Sequence, residues 1–224
     1  MALIDLRREG KVFILTMRSG ENRFNRSFLD ALSRAFDEVE RSNGPAALVT
    51  IGEEKFFSNG LDLNWLGGEG HSESAAFLTA LLQLFGRVMA FPLPSVAAIN
   101  GHAFAAGAMF ALAHDFRVMR ADRGFFCLPE VDINIPLAPG MTALIKSRLT
   151  AHTFRDAVLT GARIGGTDAC ERHIVDEAVA AADVLPRAIA RAAALAEKDR
   201  GIYGALKRGM YADVLSVLAA GRVQ

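Results

Sequence analysis

The sequence lacks most of the patterns that mark a metal site, a phosphate-binding loop or a cross-linked scaffold. Its 224 residues hold two cysteines, Cys127 and Cys170, which are too far apart for a zinc motif and too few for a disulfide framework. The five histidines show no HExxH or similar metal spacing. No GxxxxGK(S/T), GxGxxG or GxSxG motif is present. We therefore expect no metal, no phosphate-loop or dinucleotide site, and no serine-hydrolase elbow.

An excess of charge of one sign is also missing. Lys+Arg and Asp+Glu both total 25, so no overall field would draw the protein to nucleic acid or to an anionic membrane. The uncharged stretch 88–114 is interrupted by Pro92, Pro94 and Asn100, which predicts a buried core segment and not a membrane span. The chain opens without an apolar signal segment and ends in GRVQ, which is no peroxisomal address. These features favour a cytoplasmic protein with a small-molecule partner.

Strands and helices are predicted to alternate over the first part of the chain. Hydrophobic alternation predicts a hairpin, and apolar residues at helical spacing predict a helix from Phe28 to Val39 with Asn25 or Ser27 at its N-cap. The segment 52–63 is expected to be a loop and 101–107 a turn of small residues. The remaining predictions are strands at 2–7, 12–17, 46–51, 95–99 and 116–120, and helices at 74–90 and 107–114. This alternation predicts an α/β domain.

The pattern becomes mainly helical after Pro139. Ile174-Val175 is the one further strand expected, and Ile189, Ala193 and Leu195 are expected to form a packed helical face. We find no internal repeat and no linker. We therefore predict a core domain over residues 1–180, followed by a helical extension over 181–224 that packs on the core or on a neighbouring subunit.

Two segments, Val49 to Leu63 and Val96 to Leu112, share one design, in which a buried strand runs into a turn of small residues that opens toward a helix. Ala105, Ala106 and Gly107 would let a ligand approach free N–H groups at a helix start, where the helix dipole favours negative charge. In the first segment, Asn59-Gly60 could aim the N–H of Leu61 outward. Two converging donors would form an oxyanion hole. The alternative is that the small residues allow only close helix–strand packing.

A third segment, Phe125 to Gly140, carries Glu130 between Pro129 and Val131. A carboxylate beside so much apolar surface would lose solvation and gain basicity, which suits a general base. The alternative is a glutamate at the surface edge of a strand. In an extended stretch Asp132 would share a face with Glu130, as a partner or as a solvated bystander.

KFFSNGLDL, NGHAFAAGAMFALAHDFRVM and LPEVDINIP resemble the crotonase, or enoyl-CoA hydratase/isomerase, superfamily, and most closely its short plant-type Δ3,Δ2-enoyl-CoA isomerases. LTGARIGGTDACERHIVDE extends the resemblance to about Asp176. The resemblance implies a ClpP/crotonase-like fold, a spiral of ββα units with C-terminal helices. It also implies an acyl-CoA substrate, no separate cofactor because coenzyme A is part of the substrate, and assembly into homotrimers or hexamers.

The resemblance also implies roles for individual residues. The oxyanion donors fall on Leu61 and Ala106, and the base falls on Glu130. Substrate and coenzyme A contacts are implied by the ENRFN segment, by SNGLDL and by the turn and helix that follow the second strand, at Arg23, Phe24, Ser58, Asn59, Gly60, Asp62, Leu63, Gly107 and Met109.

The chain departs from the family pattern at Met109, where hydratases of the family place a second glutamate. Water addition commonly divides its proton transfers between two carboxylates, and a thioether cannot transfer a proton. Isomerisation of a 3-enoyl-CoA to a trans-2-enoyl-CoA during unsaturated fatty acid breakdown needs one carboxylate, so this reaction is expected, with Met109 as an apolar wall. Enoyl-CoA hydration remains an alternative function if the Asp132 carboxylate reaches the pocket. A non-catalytic acyl-CoA binder is the other alternative, whereas the scattered Arg and Lys residues disfavour RNA binding.

Overall fold

The computed structural model describes residues 2–221. Within this range the strands are β1 (Ile4–Glu9), β2 (Val12–Met17), β3 (Ala47–Ile51), β4 (Phe56–Ser58), β5 (Ser95–Ile99), β6 (His102–Phe104), β7 (Phe116–Arg120), β8 (Phe126–Cys127) and β9 (Glu177–Val179). The α-helices are α1 (Arg26–Arg41), α2 (Leu63–Gly67), α3 (Ser74–Met89), α4 (Ala106–Ala113), α5 (Pro139–Arg148), α6 (Ala151–Thr160), α7 (Gly166–Glu171), α8 (Val184–Leu195), α9 (Arg200–Met210) and α10 (Ala212–Ala220). The alternation of β and α elements confirms the predicted α/β class.

The larger sheet has the strand order β1-β2-β3-β5-β7-β9, in which β1 and β2 are antiparallel and the other pairs are parallel. Its central strands are buried on both faces, which explains why they read as continuous apolar runs. Along β5, Ala97 and Ile99 join the main core beside α1, α3 and α4, whereas Val96 and Ala98 face α8. The sheet is therefore covered by helices on each side.

A smaller parallel sheet has the order β4-β6-β8, and its first two strands lie within segments for which a loop and a turn were predicted. That prediction was wrong for Phe56–Ser58 and His102–Phe104, because strands of two or three residues are too short to show a hydrophobic period. The helix α2 within the first segment was also missed. The small sheet sets β4 and β6 side by side, so the turns that follow them meet.

Phenylalanines fill the core beneath these turns. Phe110 of α4 lies 5.7 Å from Phe24 and 6.1 Å from Phe57, measured between ring centroids, and all three side chains are fully buried. Burial of one such ring stabilises a fold by roughly 1.5–3 kcal/mol. The turns above the phenylalanines therefore stand on a tightly packed base.

Two predictions in the C-terminal part were wrong. Ile174 and Val175 are buried core residues in a turn, and the strand comes later, at β9, where it completes the larger sheet beside β7. In α8 the buried residues are Val184, Ala188 and Ala192. The predicted face is right for Ile189, which is half-buried against the same core, and wrong for Ala193, which is exposed. Alanine is compatible with either face of a helix, so the alanine-rich sequence of α8 did not define its phase.

The last two helices pack on the rest of the chain. Lys207 of α9 pairs with Asp115 at 2.7 Å, and both side chains are almost completely buried. Leu218 of α10 is fully buried beside α3 and α5. The division at residue 180 stays a prediction, and residues 222–224 of the predicted extension lie outside the described range. No helix within residues 2–221 is long and apolar enough to cross a membrane.

Candidate active site

The turns after β4 and before α4 are in direct contact. Gly60 has a φ of 81°, and a Cβ there would lie 3.0 Å from the Ala105 Cβ and 3.4 Å from the Ala106 nitrogen. Glycine is suited to this position because it adopts positive φ without strain and leaves room for the facing turn. Phe24 holds the first turn, since its N–H donates to the Gly60 carbonyl at 2.8 Å and its carbonyl accepts from the Asp62 N–H at 2.9 Å. The two turns predicted from the sequence therefore converge.

The backbone at this contact presents two free donors. Among the residues described, neither the Leu61 N–H nor the Ala106 N–H has a hydrogen-bond acceptor. Ala105 adopts φ 50° and ψ −123°, a strained conformation for a non-glycine residue, immediately before the first N–H of α4. An unpaired N–H at a helix start is suited to a negative oxygen. Two such groups on turns in contact, both at the cavity lining, are suited to form an oxyanion hole.

A cavity of about 530 Å³ opens in front of these donors. Seven of the residues expected to act in catalysis or binding line it, namely Arg23, Asn59, Leu61, Leu63, Ala106, Met109 and Glu130. Most of the other lining residues are apolar, among them Leu78, Pro129, Ile133, Ile135, Pro136, Leu137, Ala138 and Met141. An apolar cavity with a few polar groups is typical of a small-molecule site.

Glu130 is the buried acid of this cavity. It lies in a single 3-10 turn, Pro129–Val131, and its side chain is only 8% exposed. Its Oε2 atom is buried and has no hydrogen-bond partner in the described part of the chain. Burial raises the pKa of this carboxyl above its ordinary value, against a smaller opposite effect of a backbone hydrogen bond. The alternative of a surface glutamate is therefore wrong, and the side chain has the environment of a general base.

Met109 and Asp132 differ from Glu130 in what they offer the cavity. Met109 is 1% exposed and contributes an apolar thioether from the first turn of α4. Asp132 also borders the cavity, but it is exposed and its carboxylate lies against the backbone of Gly161. The extended backbone that would place it on the face of Glu130 is absent, because residues 129–131 turn. That prediction of a shared face was wrong.

Comparison with known proteins places the chain in a family. The sequence model for enoyl-CoA hydratase/isomerase matches residues 7–224. The chain belongs to the enoyl-CoA hydratase/isomerase family. Enoyl-CoA delta isomerase 3 of Arabidopsis thaliana is 32% identical over 220 residues, which cover 93% of this chain and 92% of the relative.

Solved structures of this family share the fold. A Mycobacterium tuberculosis protein, described as an enoyl-CoA isomerase in one structure and as a probable enoyl-CoA hydratase in another, superposes with a TM-score of 0.91 at 27% identity. The first of these structures covers 98% of this chain and 96% of that protein. Human mitochondrial delta3-delta2-enoyl-CoA isomerase gives a TM-score of 0.89 over 97% of this chain and 86% of that one, and at 23% identity it supports the fold alone. The predicted crotonase-like fold is confirmed.

Five predicted contact residues of this family member do not line the cavity, namely Phe24, Ser58, Gly60, Asp62 and Gly107. Their observed contacts are structural. The Ser58 hydroxyl donates to the Asn22 carbonyl at 2.7 Å and accepts from the Gly60 N–H at 3.3 Å, and Asp62 caps α2 through the Trp65 N–H at 3.1 Å. These residues shape the turns beside the cavity, and their main-chain contacts with coenzyme A stay a prediction.

Sequence reasoning included Glu21 only as part of the ENRFN segment and missed Cys127 and Arg163 of this enoyl-CoA hydratase/isomerase site. Glu21 holds two lining residues, since it accepts from Asn59 Nδ2 at 2.7 Å and from Arg23 Nε at 2.6 Å. The hydrogen bond from Asn59 is the largest cause that lowers the pKa of Glu21, and Arg23 lowers it further. Cys127 and Arg163 also line the cavity. Both stand in segments that were recognised, but no local pattern directs their side chains to the cavity.

His102 is the histidine nearest in sequence to the oxyanion turns, and a packing role was expected for it ahead of a role in tuning the hole. It does not line the cavity, and its ring lies 5.0 Å from Phe104 and 5.4 Å from Phe56 between centroids. Burial, followed by nearby arginine and lysine side chains, lowers its pKa. A neutral imidazole packed among aromatic rings supports the small sheet.

Proposed function

We propose that this protein isomerises a 3-enoyl-CoA to a trans-2-enoyl-CoA, with Glu130 as the single proton carrier. The observation that carries the proposal is one buried carboxylate in an apolar cavity that also holds two unpaired N–H donors. The position from which a second acid would act in a hydratase holds Met109. The site therefore suits a reaction in which one carboxylate removes a proton and returns it to the same substrate. It suits less well a reaction that divides proton transfer between two carboxylates.

The reaction balances with protein groups alone. Glu130 removes a proton from C2 of the substrate, and the electron pair forms a dienolate whose negative charge resides on the thioester oxygen. The N–H groups of Leu61 and Ala106 donate to that oxygen, and such donors each contribute about 10²–10³-fold in rate. The protonated Glu130 then delivers its proton to C4, which leaves the double bond between C2 and C3. No water and no second acid enters this sequence.

Burial of Glu130 assists both transfers. A carboxylate with few solvating partners is a stronger base than one in water, and its conjugate acid is correspondingly more stable. The pKa of Glu130 is raised mainly by burial, which brings it closer to neutral pH. The surrounding apolar wall, which includes Met109, keeps water from competing for the dienolate.

Coenzyme A binding is assigned to Arg23 and Asn59. Both residues line the cavity and share Glu21 as a hydrogen-bond acceptor. An arginine fork and a side-chain amide suit the phosphate and amide groups of an acyl-CoA. A role in unsaturated fatty acid breakdown in the cytoplasm belongs to the same proposal.

The test supplies purified protein with a 3-enoyl-CoA and, in a separate reaction, a trans-2-enoyl-CoA, and follows absorbance of the conjugated thioester. The proposal expects absorbance to rise with the first substrate and to remain stable with the second. Glu130→Gln should abolish the rise while leaving coenzyme A binding intact. Isomerisation that survives Glu130→Gln would refute the mechanism.

Hydration is a second candidate because Asp132 borders the same cavity. Loss of the 2-enoyl absorbance by addition of water would favour it. Coenzyme A binding without turnover of either substrate would favour a non-catalytic acyl-CoA binder, which would be indifferent to Glu130→Gln.

A homotrimer, or a hexamer of two trimers, is proposed as the assembly. Ile202, Leu206 and Met210 recur at four-residue spacing along α9 and are 63%, 61% and 70% exposed. An apolar stripe of this kind favours burial against another subunit. Sedimentation velocity should give a trimer or hexamer for the natural sequence and a smaller species for Leu206→Glu. A monomer for the natural sequence would contradict this assembly.

A further inference from the structure

The position of the Glu130 carboxylate depends on its backbone. Its Oε2 atom has no hydrogen-bond partner among residues 2–221, so no donor to that oxygen fixes the side chain. Glu130 follows Cys127 by three residues, and Leu128 between them is fully buried. Pro129 restricts the backbone further because its φ is locked by the ring. A displacement of Cys127 would therefore be passed on to Glu130.

Cys127 is bonded to two other parts of the site. Its carbonyl accepts from the Ala105 N–H at 3.0 Å, and Ala105 immediately precedes the donor Ala106. Its thiol donates to the Gly161 carbonyl, with 3.2 Å between Sγ and oxygen. Gly161 caps the C-terminal end of α6, where the last carbonyl groups receive no hydrogen bond from an N–H group of the helix. One residue thus connects the oxyanion turn, the segment of the base and the end of α6.

Further contacts join the same two segments. Phe126 and Ile164 exchange N–H to carbonyl hydrogen bonds of 2.9 Å in each direction. Gly161 has a φ of 60°, and a Cβ on it would lie 3.0 Å from Cγ of Asp132. The close approach of Asp132 to the end of α6 therefore belongs to this junction.

The state of the Cys127 thiol fits a donor. Cys127 is 2% exposed, and burial raises the pKa of its thiol to about 11, so the group stays protonated at neutral pH. A protonated thiol is a poor nucleophile but keeps its S–H for the Gly161 carbonyl. The arrangement is therefore unsuited to covalent chemistry with the enoyl group.

We propose that Cys127 is a positioning residue for Glu130, which acts through its thiol hydrogen bond to Gly161 and thereby sets where the Glu130 carboxylate lies relative to the oxyanion donors. The proposal rests on the function proposed above, in which Glu130 is the base. In this proposal Asp132 packs close to Gly161 at the same junction and has a structural role there.

Cys127→Ala and Cys127→Ser separate the hydrogen bond from the volume. Both remove the sulfur atom, but only serine keeps a donor for the Gly161 carbonyl. Cys127→Ala should lower kcat for 3-enoyl-CoA isomerisation about tenfold, with KM within about threefold, because an ångström of misplacement costs up to ~10²-fold. Cys127→Ser should recover most of that loss. Cys170→Ala is the matched control, since its thiol lies outside the cavity lining.

The pH profile gives a readout that a loss of packing alone would not change. If Cys127→Ala lets Glu130 shift toward solvent, the acid limb of kcat/KM should move to lower pH, and Cys127→Ser should restore it. Equal effects of alanine and serine, or a Cys127→Ala profile that matches the natural one, would overturn the proposal. Urea unfolding of each variant identifies any that fail to fold. If Cys127→Ala does not fold, Cys127→Ser decides alone, because loss of activity in a folded serine variant also overturns the proposal.

Failure of the positioning role and failure of the proposed function give different results. If the natural protein does not isomerise, or if Glu130→Gln retains activity, the proposed function falls and the positioning role falls with it. If Glu130→Gln is inactive while both Cys127 variants match the natural protein, only the positioning role is refuted.

Discussion

Gly107→Ala tests whether the two oxyanion turns must touch. Gly107 is the second residue of α4, and a Cβ there would lie 2.7 Å from both Cβ and Oγ of Ser58 and closer still to the Ser58 carbonyl oxygen. Ser58 cannot move freely, because its hydroxyl donates to the Asn22 carbonyl at 2.7 Å and accepts from the Gly60 N–H. The added methyl group must therefore push α4 away from β4.

The size of the displacement sets the size of the effect. Ordinary carbon contacts lie at about 3.5 Å, so the two segments must separate by about 1 Å. Overpacking of this kind costs roughly 1–3 kcal/mol, whereas alanine gains about 1 kcal/mol over glycine in helix propensity. The free energy of unfolding should therefore fall by at most about 2 kcal/mol. A 1 Å misplacement of the adjacent Ala106 N–H should lower kcat about 10²-fold.

The assay compares kcat for 3-enoyl-CoA isomerisation with the urea-unfolding midpoint of the same preparation. Gly209→Ala is the matched control, because Gly209 also lies within a helix but has no atom within 4 Å of an added Cβ. It should keep the natural kcat and gain slightly in stability. A Gly107→Ala protein with kcat within twofold of the natural value and unchanged stability would refute the geometry of the oxyanion hole.

Three further predictions concern proton transfer and a buried ion pair. Because burial raises the pKa of Glu130, kcat/KM should rise with pH through a midpoint above the ~4.3 of a free glutamate, and an ordinary midpoint would contradict its role. The folded state then holds this proton more tightly than the unfolded state, so stability should decline as pH rises from the unfolded toward the folded pKa, and urea titration of Glu130→Gln should lack that decline. Met109→Glu should raise 2-enoyl-CoA hydration at least about tenfold, since one added acid or base contributes 10²–10⁴-fold, and a folded variant without hydration would argue against the assignment of Met109. Lys207→Met should lower the free energy of unfolding by about 3–5 kcal/mol, because it leaves the buried Asp115 carboxylate without its cation. Asp115→Asn added to the Lys207→Met variant should recover part of that loss.

The sequence was most informative where one residue type served one clear local purpose. The run 95–99 predicted β5 with its observed bounds. Asn25 was one of the two N-cap candidates for α1, and its side chain accepts from the Phe28 N–H. Gly60 was predicted in a turn, and the structure places it against the facing turn at Ala105. Gly107 packs α4 against Ser58 of β4, which is the close helix–strand packing given as the alternative for the small residues. These features depend on backbone preferences that a few neighbouring residues determine.

The features that the sequence did not predict depend on pairs of residues that are distant along the chain. Cys127 and Gly161 are separated by 34 positions, so no local pattern could predict that the thiol donates to that carbonyl. The backbone turn at Glu130 was also hidden, because LPEVDINIP has no period that distinguishes an extended segment from a short 3-10 turn. Burial of Glu130 was predicted correctly as one of two alternatives, since apolar neighbours in sequence also became neighbours in space.

The two glutamates near the cavity show why Glu130 suits proton transfer between two carbon atoms. Glu21 accepts from Asn59 and Arg23, which lower its pKa and keep it ionised in one position. Glu130 has an oxygen without a donor, and burial raises its pKa. Protonation of Glu21 would remove the negative charge that strengthens its hydrogen bonds from Asn59 and Arg23. Glu130 gives up no such bond at Oε2, so it can receive a proton from C2 and release it at C4 by rotation of its side chain. Environments that separate the pKa values of two acids in this way assign them different work, with Glu21 orienting polar groups and Glu130 carrying the proton.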